Sequence, residues 1–295
     1  GGAVASVWGL REYVRTVWFL GDAEWRIFGS FQNPNCLAGY LLLTVFPAAA
    51  LLFGSQTRAA RRTDEGAPRY PEIAALFALG LMVVALLLTG SKAAFAAFLV
   101  GMVVFGLLAA GCAARPRLVR GLVLLGVGAM IVGALALPPL RARLLSAFGW
   151  QSHSAQFRTY TWQGTLGMIR ERPLLGFGGG TFEHAFPRFA IAGFTRQAHQ
   201  SFLQIAAETG VPSLLVGLVW GGLLLAGLWR QAQRRESGLL ARLTAAAVLA
   251  GVVASAVQEL ADYAWYVPAV GASFFALAGL GLGGAAVGPE VHGQV

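Results

Sequence analysis

Seven stretches of nearly unbroken apolar residues divide the chain: 36–53, 73–89, 93–112, 118–137, 211–229, 243–257 and 266–287. Most approach the ~20 residues that carry a helix across a bilayer, and the sixth is the shortest. The pattern breaks over 138–200, where polar and glycine-rich runs alternate with short amphipathic segments. The predicted fold class is therefore all-α: a polytopic transmembrane helical bundle with about seven spans in this chain. Residues 1–295 form a single integral membrane domain, with 138–200 a large extracytoplasmic loop containing short amphipathic helices.

Composition supports this. The chain is 57% hydrophobic and only 12% charged, with mean hydropathy +0.65, which excludes an ordinary soluble globule. Two cysteines exclude a disulfide scaffold. A net charge of +9 could suggest nucleic acid, but in a membrane protein basic residues first set topology and meet lipid headgroups, so no nucleic-acid partner is expected.

Arg58, Arg61, Arg62 and Arg69 follow the first span, Arg115 and Arg117 follow the third, and Arg230, Arg234, Arg235 and Arg242 follow the fifth. These loops are predicted cytoplasmic. The alternate connections, 90–92, 138–200 and 258–265, then face outward together with the segment 1–35. Long loops escape the charge bias, so the arginines of 138–200 do not oppose this. Cys36 and Cys112 fall at opposite ends of the bundle and are too far apart to pair. Trp25, Trp150, Trp162, Tyr263, Trp265 and Tyr266 fall at the outer boundary as an aromatic belt.

A 63-residue outer loop is long enough to be functional. Ser154 is placed as an N-cap, and Trp162, Leu166 and Ile169 recur at helical spacing until Pro173, with Arg158 on the same stripe. Arg170 and Arg172 flank the helix end, suited to its dipole or to lipid phosphate. Gly176, Gly178, Gly179 and Gly180 form either a flexible turn or an anion-binding concavity. A further helix is predicted over 198–209 with Gly210 as its stop. Its winding sets His199, Phe202, Leu203 and Ala206 inward, opposite Ser201, Gln204 and Glu208. His199 in a first helical turn would be held neutral, as a general base requires, although a structural histidine is the alternative. No metal site is expected, because the histidines lack ligand spacing and carboxylate company. Near the other outer ends, Arg26 precedes Asn35, placed as the cap of the first span, and Lys92 occupies the turn after Thr89. Arg26, Lys92, Arg158 and His199 together suit a lipid-linked anion.

Three stretches carry a family resemblance: Arg26-Ile-Phe-Gly-Ser-Phe-Gln-Asn-Pro-Asn35; Leu88-Thr-Gly-Ser-Lys92; and the run from Arg158 through Pro173-Leu-Leu-Gly-Phe-Gly178 to Ala198-His199-Gln200-Ser-Phe-Leu203 and Glu208-Thr-Gly210. In this order the chain resembles the O-antigen ligase superfamily of lipopolysaccharide O-antigen ligases, O-antigen polymerases and bacterial O-oligosaccharyltransferases. The resemblance covers nearly the whole chain and implies that N-terminal helices of the family are missing.

It implies a glycosyltransferase of the bacterial inner membrane with an extracytoplasmic site. An undecaprenyl-pyrophosphate-linked glycan would be transferred, with inversion and without a metal or cofactor, to a hydroxyl of an acceptor glycan, lipid core or protein. His199 would be the catalytic base, and Arg158 and Lys92 would bind the pyrophosphate, with Arg26 as a further substrate-binding residue. The family typically has arginine where Lys92 stands; lysine keeps the charge but loses the planar fork. Two other readings stand beside this one. A transporter or flippase for an anionic lipid-linked substrate is disfavoured, because no acidic residue lies within the assigned spans. An inactive scaffold predicts that loss of His199 is silent.

Overall fold

The computed structural model describes residues 1–22, 25–31, 33–59, 70–113, 116–136, 141 and 153–283. Arg61, Arg62, Arg69, Arg115 and Trp150, much of the outer loop before His153, and the end of the seventh apolar stretch lie outside the described residues. Among the described residues every regular element is helical, as the apolar pattern predicts.

The helices are α1 (Gly2–Val14), α2 (Pro34–Ala59), α3 (Tyr70–Leu88), α4 (Lys92–Ala110), α5 (Pro116–Ala136), α6 (His153–Glu171), the short α7 (Phe182–Ala185), α8 (Ser201–Thr209), α9 (Val211–Gln233), α10 (Leu239–Glu259) and α11 (Pro268–Gly283). Each of the seven predicted stretches contains a helix among its described residues. Four of these helices are long and apolar enough to cross a membrane, over Pro34–Gly54 and in α4, α9 and α10. Glu72–Leu88, Val119–Gly133 and Pro268–Gly283 are shorter apolar helices.

Helix α10 forms the axis of the bundle and packs against α2, α4, α9 and α11. Small side chains make this possible. Ala245, Ala246, Ala247, Ala250 and Ala254 are buried, and a Cβ on Gly251 would stand 3.3 Å from the Leu42 carbonyl oxygen of α2. Close backbone approach of this kind replaces hydrophobic exclusion as the packing force where lipid is the solvent. The pattern placed this span at 243–257, but the helix runs 21 residues to Glu259. Glu259, beyond the span as read from the sequence, is fully buried at the end of a helix long and apolar enough to cross a membrane.

The segment 1–35, expected as an outer loop, is partly helix. The start of α1 packs beside Thr44 and Met82, alongside α2 and α3, and Gly9 lets Ile27 approach so closely that an added Cβ would meet its side chain at 2.6 Å. Ile27 is fully buried in the main core.

The ends of α2, α3, α4 and α10 converge. Arg26 bonds Thr89 O after α3 and Asn35 of α2, while Gln258 of α10 donates to Asn35 O. At the opposite end, Arg242 donates to Gly111 O after α4 and Ala232 O of α9. Cys36 and Cys112, both free thiols, mark these two ends. The convergent end carries the residues described next.

Candidate active site

Three local structures assemble the site, beginning with the start of α2. Asn33, rather than Asn35, caps the helix: its side-chain oxygen accepts from Asn35 N at 2.8 Å. Asn35 is thereby free of capping, and its Oδ1 accepts from Arg26 Nη2 at 2.8 Å. With Nε bonded to Thr89 O at 2.7 Å, the Arg26 guanidinium ties α2 to the turn between α3 and α4.

That turn is rigid. Gly90 takes φ +58, Thr89 Oγ1 donates to Leu86 O at 2.6 Å, and Ser91 caps α4 by accepting from Ala94 N. Lys92 becomes the first residue of α4, a cation at the positive end of a helix, where an anion would be favoured instead. Lys92 lies within the electrostatic reach of Arg158 and Arg26, so the three predicted cations do converge.

The second structure is α6. It begins at His153, so Ser154 lies inside the helix rather than before it. Its buried stripe is Thr161, Gly164, Thr165 and Met168. The predicted stripe of Trp162, Leu166 and Ile169 is corrected: Leu166 is exposed, while Trp162 and Ile169 are half-buried. The threonines can turn inward because each hydroxyl bonds the carbonyl four residues back, Thr161 to Phe157 and Thr165 to Thr161. Arg158, half-buried one turn before Thr161 and Trp162, acts electrostatically on His199, Lys92 and Asp262 alike.

The third structure holds the histidine. Helix α8 starts at Ser201 with Gln200 as its cap, so His199 precedes the helix rather than sitting in its first turn. Among the described residues it is the one non-glycine residue with positive φ, at +53. Histidine tolerates this left-handed region better than most side chains, but it still costs of order 1 kcal/mol and persists only where neighbours enforce it. The neighbours are visible. The Ala198 peptide is clamped on both sides, its N–H to Gln204 Oε1 at 2.9 Å and its carbonyl to Trp162 Nε1 at 3.1 Å.

The inward face of α8 departs from the expectation in part, with Ala206 buried as expected. Ser201, Gln204 and Glu208 are buried, and Phe202 and Leu203 are only half-buried. Each buried polar group has a partner. Ser201 Oγ donates to Glu259 and also approaches Asp262 O. Gln204 Nε2 donates to Gln197 Oε1 at 2.6 Å, and Glu208 Oε1 accepts from Phe182 N at 3.1 Å. A helix packed on polar helix ends turns its polar face inward.

The glycine run resolves as a turn that closes α8. Phe177 N and Gly178 N donate to Ala207 O and Glu208 O, which fixes these two amides to carbonyls rather than leaving them to cradle an anion. Gly176, at φ +64, is required: a Cβ there would meet the Glu208 carbonyl at 2.4 Å.

The His199 ring meets Tyr263 edge-on, with centroids 5.1 Å apart, and its Nδ1 is buried without a hydrogen-bond partner. Burial, reinforced by the Arg158 charge, pushes its pKa down to about 4, so the imidazole is neutral at pH 7. Tyr263 accepts from Asn33 Nδ2 at 3.1 Å, which ties the ring's support to the α2 cap. The aromatics expected as a belt thus contribute to the site itself. Trp162 and Tyr263 brace His199, and Trp265 Nε1 donates to Ser255 at 2.8 Å.

Sequence reasoning missed Glu259 and Asp262, treating them as ordinary loop acids. Both are fully buried against the start of α8, where Ser201 meets Glu259 and Asp262 O, and Glu259 Oε1 and Asp262 Oδ2 have no hydrogen-bond partner. Burial pushes the Asp262 carboxyl above its usual range, opposed by Arg158. Their three-residue spacing, continuing the period of α10, was the available signal. Among the described residues no cluster of three or more His, Cys, Asp or Glu could hold a metal ion.

An apolar helical bundle with half-buried cations and a histidine gathered at one end points to a membrane protein. Residues 77–218 match the family model described as O-antigen ligase, which supports membership in the O-antigen ligase superfamily. The match encloses Lys92, Arg158 and His199; Arg26, Glu259 and Asp262 lie beyond it. No curated protein matches the chain. That match supports a glycosyltransferase-type membrane enzyme.

Proposed function

We propose that this protein transfers a glycan from an undecaprenyl-pyrophosphate donor to an acceptor hydroxyl, with inversion, on the extracytoplasmic face of the bacterial inner membrane. The acceptor is a hydroxyl of a glycan, a lipid core or a protein. The acceptor oxygen attacks the anomeric carbon as its proton passes to the His199 imidazole. The bond from that carbon to the diphosphate oxygen breaks, and the diphosphate leaves carrying the electron pair. Arg158 and Lys92 stabilise the charge as it develops, and Arg26 contributes its field while holding the Thr89 turn in place. Lys92 binds as a point charge.

The observation that carries this reading is the combination at His199: an imidazole kept neutral by burial and by Arg158, in an enforced left-handed backbone, beside convergent cations. A base that is unprotonated at neutral pH next to an anion-binding cluster is what attack by a hydroxyl on a diphosphate-activated sugar requires.

The test is to give the purified protein in lipid a lipid-linked oligosaccharide, first alone and then with candidate acceptors. Release of polyprenyl diphosphate with elongated lipid-linked chains marks a polymerase; release with modified lipid core or peptide marks a ligase. No release under any condition would overturn the proposal.

A further inference from the structure

The turn between α6 and α7 carries two conspicuously exposed apolar side chains, Leu174 at 70% and Leu175 at 85%. In water, adjacent leucines at a loop tip are a liability. Their location changes the reading. The Pro173 carbonyl accepts from Val211 N at 2.8 Å, and Gly210, at φ +87, lies so close that a Cβ there would strike Leu174 O at 2.0 Å. The tip is therefore fixed to the first residue of α9, a spanning helix. One turn deeper on α9, Leu215 and Val216 are exposed at 56% and 70%, and Val219 and Leu223 continue that face. The outward surface of α9 is where lipid lies, and the two leucines extend it beyond the start of the helix.

Charge is placed to match. Arg170 and Arg172 are exposed immediately before Pro173, and the Arg172 guanidinium is held 4.8 Å above the Phe177 ring. Basic residues flanking an apolar wedge at a helix boundary are arranged for the phosphate level of a leaflet, with the wedge below it.

We infer that Pro173–Leu174–Leu175 inserts into the leaflet beside α9, with Arg170 and Arg172 on phospholipid phosphates, and that this wedge sets the height of the histidine-bearing helix. The link to that helix is direct. Phe177 N and Gly178 N bond the last carbonyls of α8, Ala207 and Glu208, and Phe182 N bonds the Glu208 carboxylate. Displacement of the wedge would act on α8 and, through the Ala198 clamp, on His199. The inference needs only the bilayer and is independent of the reaction.

The test uses Leu175→Cys in a Cys112→Ser background, since Cys36 is only 2% exposed. The cysteine is labelled with an environment-sensitive nitrobenzoxadiazole dye, and the protein is reconstituted in phosphatidylethanolamine and phosphatidylglycerol vesicles. The expected result is blue-shifted emission, quenched several-fold more by lipids carrying a shallow nitroxide than by aqueous iodide. Emission and iodide quenching equal to those of the free dye–cysteine adduct would overturn insertion. Adding Arg170→Gln and Arg172→Gln is expected to increase iodide access at least twofold; unchanged access would overturn the phosphate contacts.

Discussion

Helices α8 and α9 are separated by one glycine and are opposites. Helix α8 buries Ser201, Gln204 and Glu208; α9 exposes Leu215, Val216, Val219 and Leu223. Gly210 is the pivot, with its left-handed backbone closing one helix as the other begins. The difference locates the boundary between two solvents. On the α9 side the outward residues are apolar, as a hydrocarbon medium requires. On the α8 side the neighbours are polar helix ends, and the inward face carries hydrogen-bonding groups that pair with them. His199 sits beside this junction, buried enough to stay neutral at pH 7.

The sharpest test of that comparison is on the residue at the boundary. His199→Asn keeps a side chain that accepts left-handed backbone but removes the base. The expected outcome is a fall in transfer rate of ~10²- to 10⁴-fold, with membrane insertion and Tm unchanged. A rate within a factor of ten of the unmodified protein would remove the imidazole from the chemistry.

A mirrored pair probes the two helices themselves. Leu223→Asp places a charge on the lipid side of α9, 68% exposed near mid-helix, and is expected to disfavour insertion by about 3 kcal/mol. It should be read as the inserted fraction in a glycosylation-tag assay. The opposite change in α8, Gln204→Leu, makes the helix more apolar yet is expected to destabilise the protein by ~1–3 kcal/mol, because the buried Ala198 N–H loses its acceptor. Its signature is a lower Tm and reduced kcat with little change in donor KM, since His199 loses its positioning while the cations remain. If Gln204→Leu were neutral in both, the buried polar face of α8 would have no structural role.

This asymmetry also explains what could be read from the chain. The helices at the seven apolar stretches were legible because hydrocarbon imposes one requirement on every outward residue, so length and apolarity suffice. Arg26, Lys92, Arg158 and His199 could be singled out as candidates because polar groups stand out between such stretches. The orientation of α8 was not, because amphipathic spacing separates two faces without saying which is buried, and the rule that apolar means inward fails against polar helix ends. The same failure placed Leu166 inward on α6, where Thr161 and Thr165 satisfy their own hydroxyls and take the buried side. Glu259 was lost for a related reason: the apolar run ends at Val257, whereas the helix continues because Gln258 and Glu259 find partners in Asn35, Ser201 and Trp265. No window of hydropathy contains those partners.

The smallest expected effect concerns pH and leaves activity at neutrality untouched. Histidine ordinarily titrates near 6.5, but in the folded protein His199 titrates at about 4. The acid limb of kcat/KM should therefore fall near pH 4 rather than 6.5, because the base stays deprotonated down to that point. Burial raises the Asp262 carboxyl above its usual range, so the variant Asp262→Asn is needed to assign the limb. If His199 sets it, an acid limb persists in Asp262→Asn. Arg158→Gln removes a repelling charge and should move the limb upward in pH, towards the ordinary histidine value. The same depression has a consequence for stability. Above pH 6.5 neither folded nor unfolded chains protonate this imidazole. Between 6.5 and 4 the unfolded chain takes up a proton that the folded protein refuses, so stability falls with pH across that window. His199→Asn should flatten that part of the stability profile, measured as Tm against pH. An undiminished slope in the variant would show that other groups, not this imidazole, carry the acid sensitivity.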